Sequence, residues 1–311
     1  MEKFLPEGIL FETEENRKRI ASFPRLREAF YEDAVLEARA VLCDRAHNLH
    51  VDLGEIKGFM PHAECALGIT EGTVRDIAVI SRVNKPVCFR ITSFYDDENG
   101  ERTAVLSRRA VQEACRREYV ACLSVGDVID AVVTRNEAFG TFCDIGAGLT
   151  ALLPIDGISV SRIPHPRVRF AVGQRIRAVV RGRDEMGRIT LSHKELLGTW
   201  QENADRFSVG ETVPGIVRSV ESYGIFVELT PNLAGLAELT PGVQAGEGAS
   251  VYIKGISPDR MKIKLILVDH FPAPEAPQHI SYPDTQHIDR WVYSPPGCLK
   301  TVESVFTQAE A

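Results

Sequence analysis

Two pairs of aromatic residues carry the chemistry that this chain offers most plainly. Phe139 and Phe142 flank a glycine in Glu137-Ala138-Phe139-Gly140-Thr141-Phe142-Cys143-Asp144-Ile145. The arrangement returns as Ser222-Tyr223-Gly224-Ile225-Phe226-Val227-Glu228-Leu229, with both rings 84 positions further on, from 139 to 223 and from 142 to 226. Residues i and i+3 of a regular strand face opposite sides. A glycine at the bend between two strands permits a bulge or tight turn that brings both rings to one side. Two exposed rings on neighbouring strands make a platform on which bases stack. Each stacked base contributes roughly 1–3 kcal/mol with little regard to sequence, because every base has a π-face. A core role for these rings is the weaker reading, since the alternating apolar positions of the strands already fill a small barrel.

A repeat of this length is one small domain, and 311 residues permit two or three of them. Short β-rich runs separated by Gly, Asn and Asp occur at 38–43, 49–53, 58–60, 87–92 and 103–106, with a hairpin turn expected at 96–100. Five more are expected at 127–134, 142–145, 151–154, 174–181 and 188–192, and a third set at 212–220, 225–229, 235–238, 250–256 and 262–268. Five short strands in about 70 residues, with a longer link between the third and fourth, suit a closed barrel of the oligonucleotide-binding (OB) type. The fold class is therefore all-β modules with connecting helices: three tandem five-stranded OB-fold barrels, the first degenerate.

Around the barrels, 1–34 reads as a helical arm. Thr13 caps it, Pro24 restarts it, and Phe30 and Tyr31 dock it onto the first module. Linker helices are expected at 109–123, where Arg109, Arg116 and Arg117, with Arg108 just before them, make a solvated face, and at 196–207, where Trp200 and Phe207 pack between modules. The modules themselves span 35–108, 124–195 and 208–270. A Pro-rich tail, 271–311, begins as an extended linker and carries Trp291 and Tyr293, expected to dock on this chain or on a partner.

Composition narrows the function. Hydrophobic content of 44% and charged content of 25% are those of a globular protein. No apolar run approaches the ~18–20 residues of a membrane span, and no basic segment leads into an apolar one at the N-terminus, so a cytoplasmic protein without membrane contact is expected. Seven scattered cysteines never form C-x-x-C, which fits reduced thiols better than disulfides or a metal site. A net charge of −7 argues against coating duplex DNA by charge alone. The middle module is the basic one: residues 124–197 hold ten Lys/Arg against eight Asp/Glu, while residues 207–270 hold five against seven. No Ser/His/Asp spacing, phosphate-binding glycine loop, H-E-x-x-H motif or paired carboxylates are recognisable, so neither catalysis nor a cofactor is expected.

Residues 124–195 resemble the RNA-binding repeat of bacterial ribosomal protein S1. The resemblance lies in Val125-Gly126-Asp127, Phe139-Gly140-Thr141-Phe142, Ala151-Leu152-Leu153-Pro154 and the closing run from Asp184 to Lys194. Residues 207–268 look like another copy, opening with Val209-Gly210-Glu211. The resemblance implies RNA contact through two aromatics at the bend, a histidine in the third strand, and an aspartate and a basic residue around the last turn. In the middle module these positions hold Phe139, Phe142, Asp184 and Arg188, with Pro154 in place of the histidine. In the third they hold Tyr223, Phe226 and Lys262, with Glu238 for the histidine and Pro258 for the aspartate. In the first, His47 and His50 stand opposite Phe139 and Phe142, and Asn48 replaces the glycine. The expectation is a monomer that binds single-stranded RNA (mRNA), in translation at the small ribosomal subunit, with contact centred on the middle barrel. The alternative is a scaffold, ribosome-associated or in RNA metabolism, whose barrels hold protein partners.

Overall fold

The computed structural model describes residues 4–96, 100–272 and 280–306. Three closed five-stranded barrels share one connectivity. The first consists of β1 (Leu36–Cys43), β2 (Leu49–Leu53), β3 (Ile56–Met60), β4 (Pro86–Asp96) and β5 (Arg102–Ser107). The second consists of β6 (Val128–Glu137), β7 (Gly140–Asp144), β8 (Thr150–Pro154), β9 (Arg175–Arg183) and β10 (Ile189–Ser192). The third consists of β11 (Thr212–Glu221), β12 (Gly224–Thr230), β13 (Leu233–Ala237), β14 (Gly248–Ser257) and β15 (Lys262–Phe271). Each ring runs first, second, third, fifth, fourth strand and back to the first. The third and fifth strands pair parallel, which makes the longer third-to-fourth connection a topological requirement. The first barrel, degenerate in sequence, closes like the others. The β4–β5 pair forms antiparallel as expected, although residues 97–99 of its turn lie outside the described residues.

Alternation fills the barrels. Leu49, Val51 and Leu53 of β2 point inward, as do Ile176, Ala178 and Val180 of β9 and Val251 and Ile253 of β14. The first strand slips register once against the second, between Ala40 and Leu42 in β1 and between Val217 and Ser219 in β11. Such a bulge bends the strand and re-aims the side chain that follows.

Contacts divide the chain into two units, residues 1–123 with 144–150 and residues 124–143 with 151–311. In the first, helix α1 (Glu14–Ile20) is capped by the Thr13 side chain, which accepts from Asn16 N. Asn16 then mimics a strand partner of β1: its Nδ2 donates to Glu37 O at 2.8 Å and its Oδ1 accepts from Glu37 N at 2.9 Å. Helix α2 (Phe23–Tyr31) restarts at Pro24 and buries Leu26 and Ala29 in the barrel core. Phe30 packs there too, while Tyr31 is 74% exposed, its ring 5.5 Å from that of Phe30. A short helix α3 (Ile77–Ile80) lies in the β3–β4 connection, and α4 (Arg108–Glu118) follows β5.

One face of α4 departs from expectation. Arg108 is buried, its Nε donating to Glu7 Oε1 at 2.6 Å and its Nη2 to Oε2 at 2.9 Å, while Arg82 reaches the same carboxylate at 2.9 Å. Burial by itself raises the Glu7 carboxyl, but the two guanidiniums outweigh it and hold it down to about 2. A first-turn arginine thus ties the helix to the N-terminal arm instead of facing solvent.

In the second unit the segment after β10 is not one helix. A 3₁₀ turn (Lys194–Leu197) stops at Gly198, whose φ of +80° suits glycine, and Thr199 starts α5 (Trp200–Ala204) with a capping box to Glu202. Trp200 is buried in the third barrel's core. The tail returns to the same unit as the hairpin β16 (Arg290–Val292) and β17 (Glu303–Val305). Trp291 and Tyr293 bury against the third barrel, so the tail docks on its own chain. The Pro-rich stretch 273–279 lies outside the described residues.

Candidate nucleic-acid interface

Phe139 sits in the bend before β7 and is 56% exposed, while Phe142 lies half-buried on β7. Their ring centroids are 5.9 Å apart at 87°, an edge-to-face pair. Tyr223 and Phe226 repeat the geometry at 6.1 Å and 87°, with Tyr223 67% exposed. The glycine between the rings is compulsory in both places. A Cβ on Gly140 would stand 2.5 Å from Leu153 O, and one on Gly224 would stand 2.6 Å from Ala237 O. Second and third strands approach so closely at the bend that no side chain fits, and the two rings turn to one side around it. The two carbonyls keep the 84-residue spacing, so the repeat extends to the strand behind the platform.

The cation beside Phe142 is one that the spacing of motifs did not reveal. Arg135 places its guanidinium 5.7 Å from the Phe142 ring centroid and forms an ion pair with Glu137. Its counterpart 84 positions on is Ser219 of β11, which stands directly opposite Phe226 of β12. Counting register through the bulge of the first strand is the signal that would have found it.

Asp184 and Arg188 come together in the β9–β10 turn, which Asp184 builds. Its Oδ1 accepts from Met186 N at 3.0 Å and from Arg188 N at 2.8 Å, and its Oδ2 accepts from Arg188 Nε at 2.6 Å. Those hydrogen bonds, led by the one from the Arg188 amide, hold its carboxyl below the usual range. The Arg188 side chain stays exposed, steered by the aspartate. The third barrel has no such cap: its turn is a 3₁₀ helix (Pro258–Arg260) closed by Met261 at φ +49°, after which Lys262 opens β15, exposed. Glu238 is exposed just beyond β13, and Pro154 ends β8.

In the first barrel each histidine takes another partner. His47, at φ +62°, directs Nδ1 to Asp76 Oδ2 at 3.2 Å, and His62 Nε2 reaches Asp76 Oδ1 at 2.9 Å. The His47 and His62 rings lie 5.6 Å apart. His47, His62 and Asp76 have ligand atoms within 4.8 Å of one another, which makes them the group among the described residues that could hold a cation. His50 stands across from Phe59 of β3, ring to ring at 5.6 Å, and 3.4 Å from Asp44. Phe59, unnoticed in the sequence, supplies the second ring of this face.

Residues 123–194 match the family model described as S1 RNA binding domain. The chain is 31% identical over 245 residues to the small ribosomal subunit protein bS1 of Leuconostoc lactis, covering 76% of this chain and 54% of that one. It is 28% identical over 261 residues to bS1 of Staphylococcus aureus strain COL, covering 78% and 64%. The chain thus spans a little over half to just under two thirds of these curated relatives. Among solved structures, a multidomain protein with nucleic acid binding domains from Streptococcus pneumoniae aligns over 76% of this chain and 74% of that one, at 14% identity and a TM-score of 0.24. With a family match over the whole middle barrel and one connectivity in all three, the chain is S1-like: an S1 domain within a multi-repeat array of OB-fold barrels.

Proposed function

We propose that this protein binds single-stranded RNA, mRNA in particular, on the platforms of its barrels, and that it works as a monomer in the cytoplasm, in translation at the small ribosomal subunit. The observation that carries the reading is the duplicated edge-to-face aromatic pair, solvent-exposed on an S1 domain and repeated with the same ring spacing and angle 84 residues later. The relatives bear the name of a small ribosomal subunit protein, which supports that setting. The role is binding, with no chemical step assigned to the chain. Bases stack on Phe139 and Phe142, Arg135 and Arg188 meet the phosphates, and Tyr223, Phe226 and Lys262 extend the grip. Barrels linked in one chain gain by effective concentration, so no platform need bind tightly alone.

Replacing Phe139 and Phe142 together by Ala tests the platform. Two lost stacking contacts weaken binding to a single-stranded oligonucleotide by at least about tenfold. Unchanged affinity in filter binding would overturn the stacking reading. Sucrose-gradient fractionation tests the setting: the protein co-sediments with the small subunit and leaves it when nuclease removes the RNA. The commitment of both His47 and His62 to Asp76 favours a second reading for the first barrel alone, that it holds a protein partner. Co-sedimentation retained after nuclease treatment would support that reading.

A further inference from the structure

A groove of about 490 Å³ opens beside Tyr223 and Phe226, and its walls come from two barrels. One wall is the third barrel's own. The other is the connection between β8 and β9, which carries Arg162 into the groove. Three bonds pin that connection in place on both sides of Arg162. Val160 N donates to Asn232 Oδ1 at 3.0 Å and Ser161 N to Pro231 O at 3.2 Å. Further along, Arg169 runs into the buried Glu228, Nη1 to Oε1 at 2.7 Å. The second and third barrels are therefore fixed to each other at this point, within one unit.

The groove exists because of the residue opposite Phe226. Where the middle barrel holds Arg135 against its ring, the third has only Ser219, and Ser219 lines the groove. The cation is supplied from elsewhere. Arg162 is exposed and, among the described residues, has no hydrogen bond or ion pair. Arg218, also in the lining, shares Glu228 with Arg169: two guanidiniums against one carboxylate. The groove keeps a positive excess even with Glu221 at its edge. Its size is that of a site for one small polar ligand with an aromatic body.

We propose that this groove is a nucleotide subsite for single-stranded RNA built jointly by two barrels, with a base against Tyr223 and Phe226 and its phosphate on Arg162. The inference rests on the RNA-binding reading and adds to it: the third platform is completed by a residue of the second barrel's connection. Barrels two and three then bind RNA as one surface instead of as independent beads.

The test uses the full chain and a short labelled oligouridylate. Arg162→Ala weakens binding about fivefold, the effect of one exposed charge contact, and lowers the salt slope by about one. Arg162→Lys restores the salt slope. The double variant Arg162→Ala/Tyr223→Ala binds more tightly than the product of the two single effects implies, because both serve one nucleotide. Unchanged affinity and salt slope in Arg162→Ala, or strictly multiplicative effects of Arg162→Ala and Tyr223→Ala, would overturn the shared subsite. Phe139→Ala/Phe142→Ala separates this failure from a wider one. If that variant alone loses affinity, the groove is wrong and RNA binding stands. If it too binds as the parent chain does, the RNA-binding reading falls with it.

Discussion

The guanidinium of Arg135 lies 5.7 Å from the centroid of the Phe142 ring, while its Nε donates to Glu137. A cation over the face of a ring is held by the ring quadrupole, and here it places a phosphate partner beside a stacking surface. Arg135 is exposed, so its removal leaves the core untouched. Arg135→Ala is expected to weaken single-stranded RNA binding about three- to tenfold and to flatten the salt dependence by about one unit. Arg135→Lys keeps the salt slope and loses part of the affinity. Filter binding across a salt series, with thermal unfolding as the control for folding, checks both.

Gly140 tests whether the bend sets the platform. A Cβ there meets Leu153 O at 2.5 Å and Pro154 Cα at 2.9 Å, both backbone atoms that cannot swing aside. Gly140→Ala is expected to destabilise the middle barrel by about 1–3 kcal/mol through overpacking, and to weaken RNA binding by separating the strands under the two rings. Urea unfolding and filter binding on the same variant measure the two effects.

Acid stability should turn on His193. The side chain is fully buried between Phe170 and Tyr282; its Nδ1 donates to Ile158 O at 2.9 Å and its Nε2 accepts from the Tyr282 hydroxyl at 2.9 Å. Burial pushes its pKa down to about 4. A histidine whose folded pKa lies below its unfolded value of about 6.5 adds stability above pH 6.5 and loses it as the pH falls toward 4. The loss reaches about 3 kcal/mol at its limit. Both tryptophans, Trp200 and Trp291, lie in this unit, so urea titrations followed by tryptophan fluorescence at pH 7 and pH 5 read it directly. His193→Gln should flatten the pH dependence across that window.

Glu228 holds Arg169 and Arg218 together in the interior of the second unit. Burial opposes its charge, yet the hydrogen bonds from the two arginines keep its carboxyl below the ordinary range. Glu228→Gln leaves the buried Arg169 and the half-buried Arg218 without a counter-charge. The expected loss is about 3–5 kcal/mol, the effect of breaking a buried pair from one side. Urea unfolding by tryptophan fluorescence measures it, and Arg169→Met in the same background should recover part of the loss.

Much of this molecule is present in the order of its residues. Alternating apolar positions and the turns between them specify the strands, and five strands with one long link specify each barrel, because a small closed sheet leaves few other ways to bury that pattern. The Phe-Gly-x-Phe bend points on its own to two rings sharing a side, although the steric demand that the glycine answers comes from the next strand, at Leu153 and Pro154. Which cations accompany the rings was decided only in three dimensions. A one-residue slip in β11 brings Ser219 opposite Phe226, and Arg135, 84 positions before Ser219, lies against the Phe142 ring; period-two patterning cannot register a slip that it does not see. Arg108 reads as a solvated helix residue until Glu7, about a hundred residues earlier, closes over it. Arg162 reads as part of a loop until the packing of one barrel on the next carries it to the rings of the other. The last two outcomes depend on groups distant in the chain, whose meeting is set by the burial of whole barrels and by no local preference.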